Sequence, residues 1–170
     1  MDKTNTPDEI IDVVNERDEV IGQTSILKAN SDPALTHREV GILLSSADGQ
    51  VLLQKRNAKK KVNPGKWTIT AAGHVPAGMK PEEAAHKELK EELGFDAPLQ
   101  FIDKVKDDFV LTESRFLYRY KGMYQREKIV LEPREVDAAR LFTWAEVEEL
   151  IRKNEITVGS AKIIRDFFGE

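Results

Sequence analysis

Three glutamates, Glu88, Glu91 and Glu92, fall within one helical turn of the stretch KPEEAAHKELKEELGF, Lys80 to Phe95. Like charges this close repel, so the arrangement needs a reason. Residues four apart share a helix face, which lets Glu88 and Glu92 bring their oxygens to one point. Carboxylate oxygens so placed suit a hard divalent cation, Mg2+ or Mn2+. Such an ion polarises a phosphoryl oxygen and makes water a better nucleophile. The plainer reading is a solvated helix stitched by Glu83–Lys87 and Glu82–His86 pairs, each worth about 0.2–0.5 kcal/mol.

A helical wheel favours the metal. At about 100° per residue, with Ala85 at zero, Leu89 falls near about 40° and Leu93 near about 80°. Glu88 lies at about −60° and Glu92 at about −20°, inside the apolar arc. Glu83, Lys87 and Lys90 point the other way, and Glu91 sits at the rim beyond Ala84. Partly buried carboxylates of like sign require protons or a cation. The preceding loop, AAGHVPAGM, carries Gly73 and Gly78, which permit close backbone approach, and it feeds a helix N-terminus able to polarise an anion.

These side chains must be held by something, and the surrounding pattern supplies it. Pro81 at the first helical position, Glu82 and Glu83 in the first turn, and Gly94 at the end predict a helix over 81–93. Strands are expected at 10–14 and 19–23 around NERD, then at 39–45 and 50–56 around SADGQ, with a polar turn over 28–33. Further strands are expected at 67–72, 99–105, 115–124 and 138–142. Thr143 and Glu146 make a capping box for a helix to about Lys153, and a last helix starts near Ser160. Hairpins with a few separate helices imply an α+β fold, or a sheet sandwiched between helices.

Composition bounds the rest. A chain of 170 residues is of one-domain size. Its net charge of −4 gives no basic footprint, so stable nucleic-acid binding is not expected. No apolar run approaches the roughly 20 residues that span a bilayer. The opening MDKTNTPDEI has no apolar centre of the signal-peptide kind, so a cytoplasmic protein is the expectation. Cysteine is absent, which removes disulfides, thiolate ligands and thiol nucleophiles.

The spacing resembles the signature of the Nudix hydrolases: Gly, five residues, Glu, seven residues, then Arg-Glu-apolar-x-Glu-Glu-x-Gly-apolar. Gly73, Glu88, Leu89, Glu91, Glu92, Gly94 and Phe95 match it in register. The resemblance implies an α/β fold, an α/β/α sandwich with a mixed sheet. It also implies a single domain over 1–170, with an N-terminal hairpin at about 9–24 and the signature at 73–95. It implies Mg2+ or Mn2+ held by Glu88, Glu92 and Glu91, and hydrolysis of a diphosphate bond. The substrate would be a nucleoside diphosphate linked to another moiety, or a related organic diphosphate. Oligomeric state is open, a homodimer included.

EIIDVVNERDEVIGQ, LTHREV, VLLQKR, NPGKWTITAAGHV and EVDAARLFTW are similar to the isopentenyl-diphosphate isomerase-like branch. Isomerases of that branch carry a cysteine before the Gly-His of the loop and a later catalytic glutamate; here Ala72 and Arg115 stand there. Without the thiol the isomerase reading fails. His37 and His74 coincide with two metal-binding positions of the branch, and Asn30 stands at a third histidine's place, which leaves an incomplete set.

Two positions depart from the signature: Met79 replaces its first Glu and Lys87 its Arg. Lysine lacks the rigid guanidinium fork, and lost supporting contacts cost about 10- to 100-fold in metal affinity or activity. A second reading follows, a catalytically weak or silent Nudix domain that binds a nucleotide or a partner. For the hydrolase, Arg56 is the first candidate to grip phosphate and Arg115 the second, with Gly73 allowing close approach. Glu88 is the candidate base and Glu135 a weaker one. Lys59, Lys60, Lys61 and His86 read as solvated, and Trp67 and Trp144 as core.

Overall fold

Alternation along the longest strands sets the architecture of the computed structural model, which describes residues 8–107 and 113–168. The elements run β1 (Ile10–Val14), β2 (Val20–Ser25), α1 (Ile26–Ala29), β3 (His37–Ser45), β4 (Val51–Arg56), β5 (Trp67–Thr68) and β6 (Ala71–His74). They continue with α2 (Pro81–Leu93), β7 (Leu99–Asp107), β8 (Arg115–Met123), β9 (Val136–Phe142), α3 (Trp144–Arg152) and α4 (Val158–Phe168). Successive strand residues face opposite sides. Val40, Ile42 and Leu44 of β3 therefore pack with Ala84, Ala85, Leu89 and Leu93 of α2. Leu43 faces the other layer, with Leu53, Leu117, Val147, Leu150, Ile163 and Ile164. The expected α/β/α sandwich is what forms.

The main sheet has seven strands in the order β5-β4-β3-β8-β7, with β6 added on β3 and β9 on β4. β3 and β8 run parallel from His37↔Arg115 to Ser45↔Met123. That crossover carries α2 onto the sheet. β3 and β4 pair only at Leu44↔Leu52 and Ser45↔Val51. Beyond those pairs they part, and the chain over 67–74 fills the gap, β5 bonding β4 and β6 bonding β3. The single strand expected at 67–72 is thus two, because it serves two partners. Thr70 holds the fork: its Oγ1 donates to the Leu52 carbonyl at 2.5 Å and accepts from the Leu44 amide at 2.9 Å. Backbone groups opened by the split are satisfied in this way.

The β1–β2 hairpin is fastened at both ends. Asp18, in a left-handed conformation at φ 62°, accepts from Arg38 Nε at 2.7 Å, from Lys104 Nζ at 3.0 Å and from the Tyr118 hydroxyl. Asp12 Oδ2 accepts from the Gly78 amide at 3.0 Å, and the Ile10 carbonyl from the Ala77 amide at 2.9 Å. The hairpin thereby fixes the loop that enters α2.

Some expectations need correction. Residues 26–29, half inside the expected polar turn, form α1, because Ser25 Oγ caps it by accepting from the Lys28 amide at 3.3 Å. Trp67 is half-buried and packs against the core, edge-on to Phe142 at 4.6 Å, but Trp144 opens α3 and is exposed. The polar opening as far as Pro7 lies outside the described residues. Among those described, no helix is long and apolar enough to cross a membrane.

Candidate functional site

Helix α2 forms over the residues the sequence predicts. Glu83 Oε2 accepts from the Lys80 amide at 3.0 Å at its start, and Gly94 closes it in the left-handed conformation at φ 76°. Ala84, Ala85, Leu89 and Leu93 are fully buried, which fixes the helix against the sheet and turns Glu88 and Glu92 toward β6.

One edge of β6 bonds β3. The Ala72 amide hydrogen-bonds the Glu92 carboxylate. Gln54, buried on β4, donates from Nε2 both to the Thr70 carbonyl at 3.0 Å and to Glu92 Oε2. Burial raises the Glu92 carboxyl above its ordinary range, against the opposing pull of Gln54, Lys60, Ala72 and Arg56. Glu88 is seated directly on Gly73: a Cβ there would lie 2.3 Å from the Glu88 carboxyl carbon. Only glycine permits that seat. Burial first, and then the charge of Glu92, push the Glu88 carboxyl up as well.

Glu91 stands at the exposed rim, with Lys87 Nζ 3.0 Å away. Lys87 also lies 3.5 Å from Glu88, so it turns toward the site instead of pairing with Glu83. His86 bonds Asp96 at 2.6 Å, not Glu82. Met79 packs against the apolar cluster under α2.

The basic loop comes closer than expected. Lys60 is a quarter exposed and ion-paired to Glu135, and it bears electrostatically on Glu92. The expectation of a solvated Lys60 is therefore corrected. Asn57 Nδ2 donates to Asp137 at 2.8 Å and the Ala58 amide to the same carboxylate at 3.0 Å, which ties the loop to the start of β9. Arg56 donates Nε to the Val62 carbonyl at 3.0 Å; burial lowers its pKa and Glu92 opposes that.

Arg115 is placed differently from the expected phosphate clamp. Its guanidinium meets Asp107 at 2.8 Å and 3.0 Å, Glu39 at 2.9 Å and Glu113 at 3.3 Å. Parallel pairing aligns it with His37 across β3 and β8, so it belongs to a charge cluster with Glu39, His37 and His74. Burial raises the Glu39 carboxyl, but His74, Arg115 and His37 outweigh it and hold the group well below the carboxylate range. Burial lowers His74 in spite of Glu39; at His37, burial is outweighed by Glu39 and the net direction is up. Sequence reading overlooked Glu39 and Gln54. The signal for Glu39 was there, since residues two apart on a strand share a face with His37 between neighbours.

A mixed sheet between helices, with a glycine strand seated on a glutamate-bearing helix, is the architecture of the Nudix fold. Residues 35–167 match the family model for the NUDIX domain, and the chain belongs to the Nudix family. Over 128 residues it is 34% identical to isopentenyl-diphosphate Delta-isomerase 2 of Photorhabdus laumondii, covering 72% of this chain and 71% of that one. It is 31% identical over 157 residues to an uncharacterized Nudix hydrolase of Yersinia pestis, covering 92% and 84%. The crystal structure of a Deinococcus radiodurans protein superposes with a TM-score of 0.79 at 26% identity, covering 94% of this chain and 99% of that one.

Proposed function

We propose that the protein is a divalent-metal-dependent hydrolase of a diphosphate bond, acting on a nucleoside diphosphate linked to another moiety or on a related organic diphosphate. Family membership supports pyrophosphohydrolase-type chemistry. The observation that carries the finer reading is the pair of partly buried carboxyls, Glu88 seated on Gly73 and Glu92 held by Gln54, both raised by desolvation. Oxygen donors short of positive charge fit Mg2+ or Mn2+. When bound, such an ion supplies charge neutralisation at the diphosphate and a more acidic water.

The chain's own residues do the positioning. Gln54 and the Ala72 amide fix the orientation of Glu92, and the bare Gly73 backbone seats Glu88. Glu91 completes the acidic set from the rim. Arg56 and Lys60 offer positive charge to phosphate oxygens beside Glu92. A bound cation would keep the Glu88 carboxyl ionised, and Glu88 is then the candidate base. Glu135 serves instead to hold Lys60. An isomerase reading, suggested by several relatives, lacks its acid–base groups: the chain has no cysteine, and Arg115 is committed to carboxylates. This reading takes the chain as one domain working in the cytoplasm on a small molecule.

The test is Glu92→Gln, assayed with Mg2+ and Mn2+ on a panel of nucleoside diphosphate derivatives and organic diphosphates with product identification. Metal-dependent turnover should fall by more than about 100-fold, since outer-shell changes alone reach that size. The metal-free fold should be as stable or more so, because a desolvated charge is removed. Unchanged turnover would overturn the assignment. No turnover by the parent on any substrate, with metal-dependent ligand binding retained, would mark a binding module instead.

A further inference from the structure

No residue of β2 is buried: Val20 to Gln23 are exposed, and Thr24 and Ser25 are half-buried. Among the described residues its one strand partner is β1, which leaves a whole edge without a ladder. A two-stranded sheet is marginal in water, and three or more strands make a stable one. An open edge is also a template for pairing with another chain.

The other sheet margins are guarded, and this one is not. β7 carries Asp103, Lys104, Lys106 and Asp107, with a bulge between Phe101 and Asp103. β9 carries Asp137 and Arg140. β5 is covered by the chain between α3 and α4: the Trp67 amide donates to the Glu155 carbonyl at 2.8 Å, and the Trp67 carbonyl accepts from the Thr157 amide at 2.9 Å. β2, VIGQTS, has neither charge nor proline in a chain that is 33% charged. Apolar surface gathers here instead. Ile10, Val20, Ile21 and Leu27, four of the eleven large apolar side chains exposed among the described residues, belong to this hairpin and the short α1 beside it.

The occupant that fits is a second copy of the same strand. The Ile26 amide donates to the Glu9 carbonyl at 3.0 Å, and Thr24 and Gly22 stand opposite Ile11 and Val13. Alternation along that ladder turns the backbone groups of Gln23 and Ser25 away from β1. An uncharged strand meets its own copy without repulsion. Glu16 and Glu19 outnumber Arg17 before the strand and Lys28 follows it, so antiparallel pairing brings the acidic end of each copy to the basic end of the other.

We propose that the protein forms a two-fold dimer in which the β2 strands of two copies pair antiparallel about Gln23, joining two hairpins into one four-stranded sheet. Gln23 of one copy faces Gln23 of the other, and Ile21 faces Ser25, the residue across the ladder from Ile10. β1 becomes an inner strand. The Ile10 carbonyl and the Asp12 carboxylate accept from the Ala77 and Gly78 amides of the loop that enters α2. The dimer thereby stiffens the approach to the acidic helix without lending it a residue.

The chain has no cysteine, so one introduced thiol reports the pairing. Cα atoms of a hydrogen-bonded antiparallel pair lie about 5.5 Å apart, within disulfide range. Gln23→Cys in the full chain should oxidise to a covalent dimer more than about 10-fold faster than Val158→Cys, an equally exposed position on α4. Sedimentation of the wild type should show a monomer–dimer equilibrium that follows protein concentration. Ile21→Lys combined with Gln23→Lys crowds like charges at the dyad and should weaken the dimer by more than about 10-fold, with circular dichroism showing the monomer still folded. A monomer at every concentration, a dimer that the lysines leave intact, or cross-linking at Gln23 no faster than at Val158 overturns the proposal. A monomer whose Gln23 amide resists hydrogen exchange has this edge covered by its own chain, and that also overturns it. None of these readouts involves turnover or metal, so the dimer and the hydrolase stand or fall separately.

Discussion

Asp18 and Glu88 are both carboxylates withdrawn from water, and the molecule treats them in opposite ways. Asp18 is surrounded by donors from three strands: Arg38, Lys104 and the Tyr118 hydroxyl. Burial would raise its carboxyl, yet those hydrogen bonds outweigh burial and hold it below its ordinary range. Glu88 has Lys87 at 3.5 Å and Glu92 as a like-charged neighbour, and it moves up. Burial of an acid therefore says little alone. The supply of donors separates a structural fastening from a place prepared for a cation.

The largest expected effect tests that distinction. Asp18→Asn keeps a residue that tolerates φ 62° but leaves Arg38 and Lys104 without their anion, at a cost of about 3 kcal/mol at pH 7. Glu92→Gln in the same metal-free urea titration should cost nothing or stabilise. Equal losses would break the comparison. Its pH dependence sharpens it. A carboxyl whose native pKa lies below the unfolded value of 3.8 contributes stability above that value and loses it as pH falls through the native one. The gap between wild type and Asp18→Asn should accordingly persist at the unfolded value of 3.8 and close only at lower pH, as the native carboxyl takes up its proton.

Slightly smaller is the response to Mg2+. At about 100 times its Kd the ion should stabilise wild type and Asp18→Asn alike by about 2.7 kcal/mol, and Glu92→Gln hardly at all. Thermal melts with and without Mg2+ would read this, and equal stabilisation of all three proteins would remove Glu92 from the site. The smallest effect belongs to Lys87→Arg. A guanidinium fork reaching Glu88 and Glu91 together should tighten Mn2+ binding by about two- to tenfold, measured by titration. Weaker binding would mean that Lys87 is already the better partner.

Legibility followed locality. The α2 boundaries, the Gly94 stop and the Thr143–Glu146 capping box rest on residues a few positions apart, and each forms as its local chemistry dictates. The inward turn of Glu88 and Glu92 was legible for the same reason, as a matter of angle on one helix. Gln54 and Thr70 were not, because their roles exist only where β3 and β4 part and β5 and β6 fill the gap. Lys60 looked like one more charge in a solvated run until the ties of Asn57 and Ala58 to Asp137 folded its loop inward. Arg115 read as a free arginine at a strand start. Parallel pairing with β3 sets it beside three carboxylates instead.

The parallel pairing also imposes an order in time. Thr36 and Ser114, 78 residues apart, share a buried hydroxyl contact of 2.9 Å at the head of β3 and β8. Such a pair closes only after the whole intervening chain has been made. During synthesis from the N-terminus, α2 is made before any residue of β8 has been added to the chain. The groups that seat its glutamates, Gln54, Ala72 and Gly73, are by then already on the chain, whereas the strand that completes the sheet comes last.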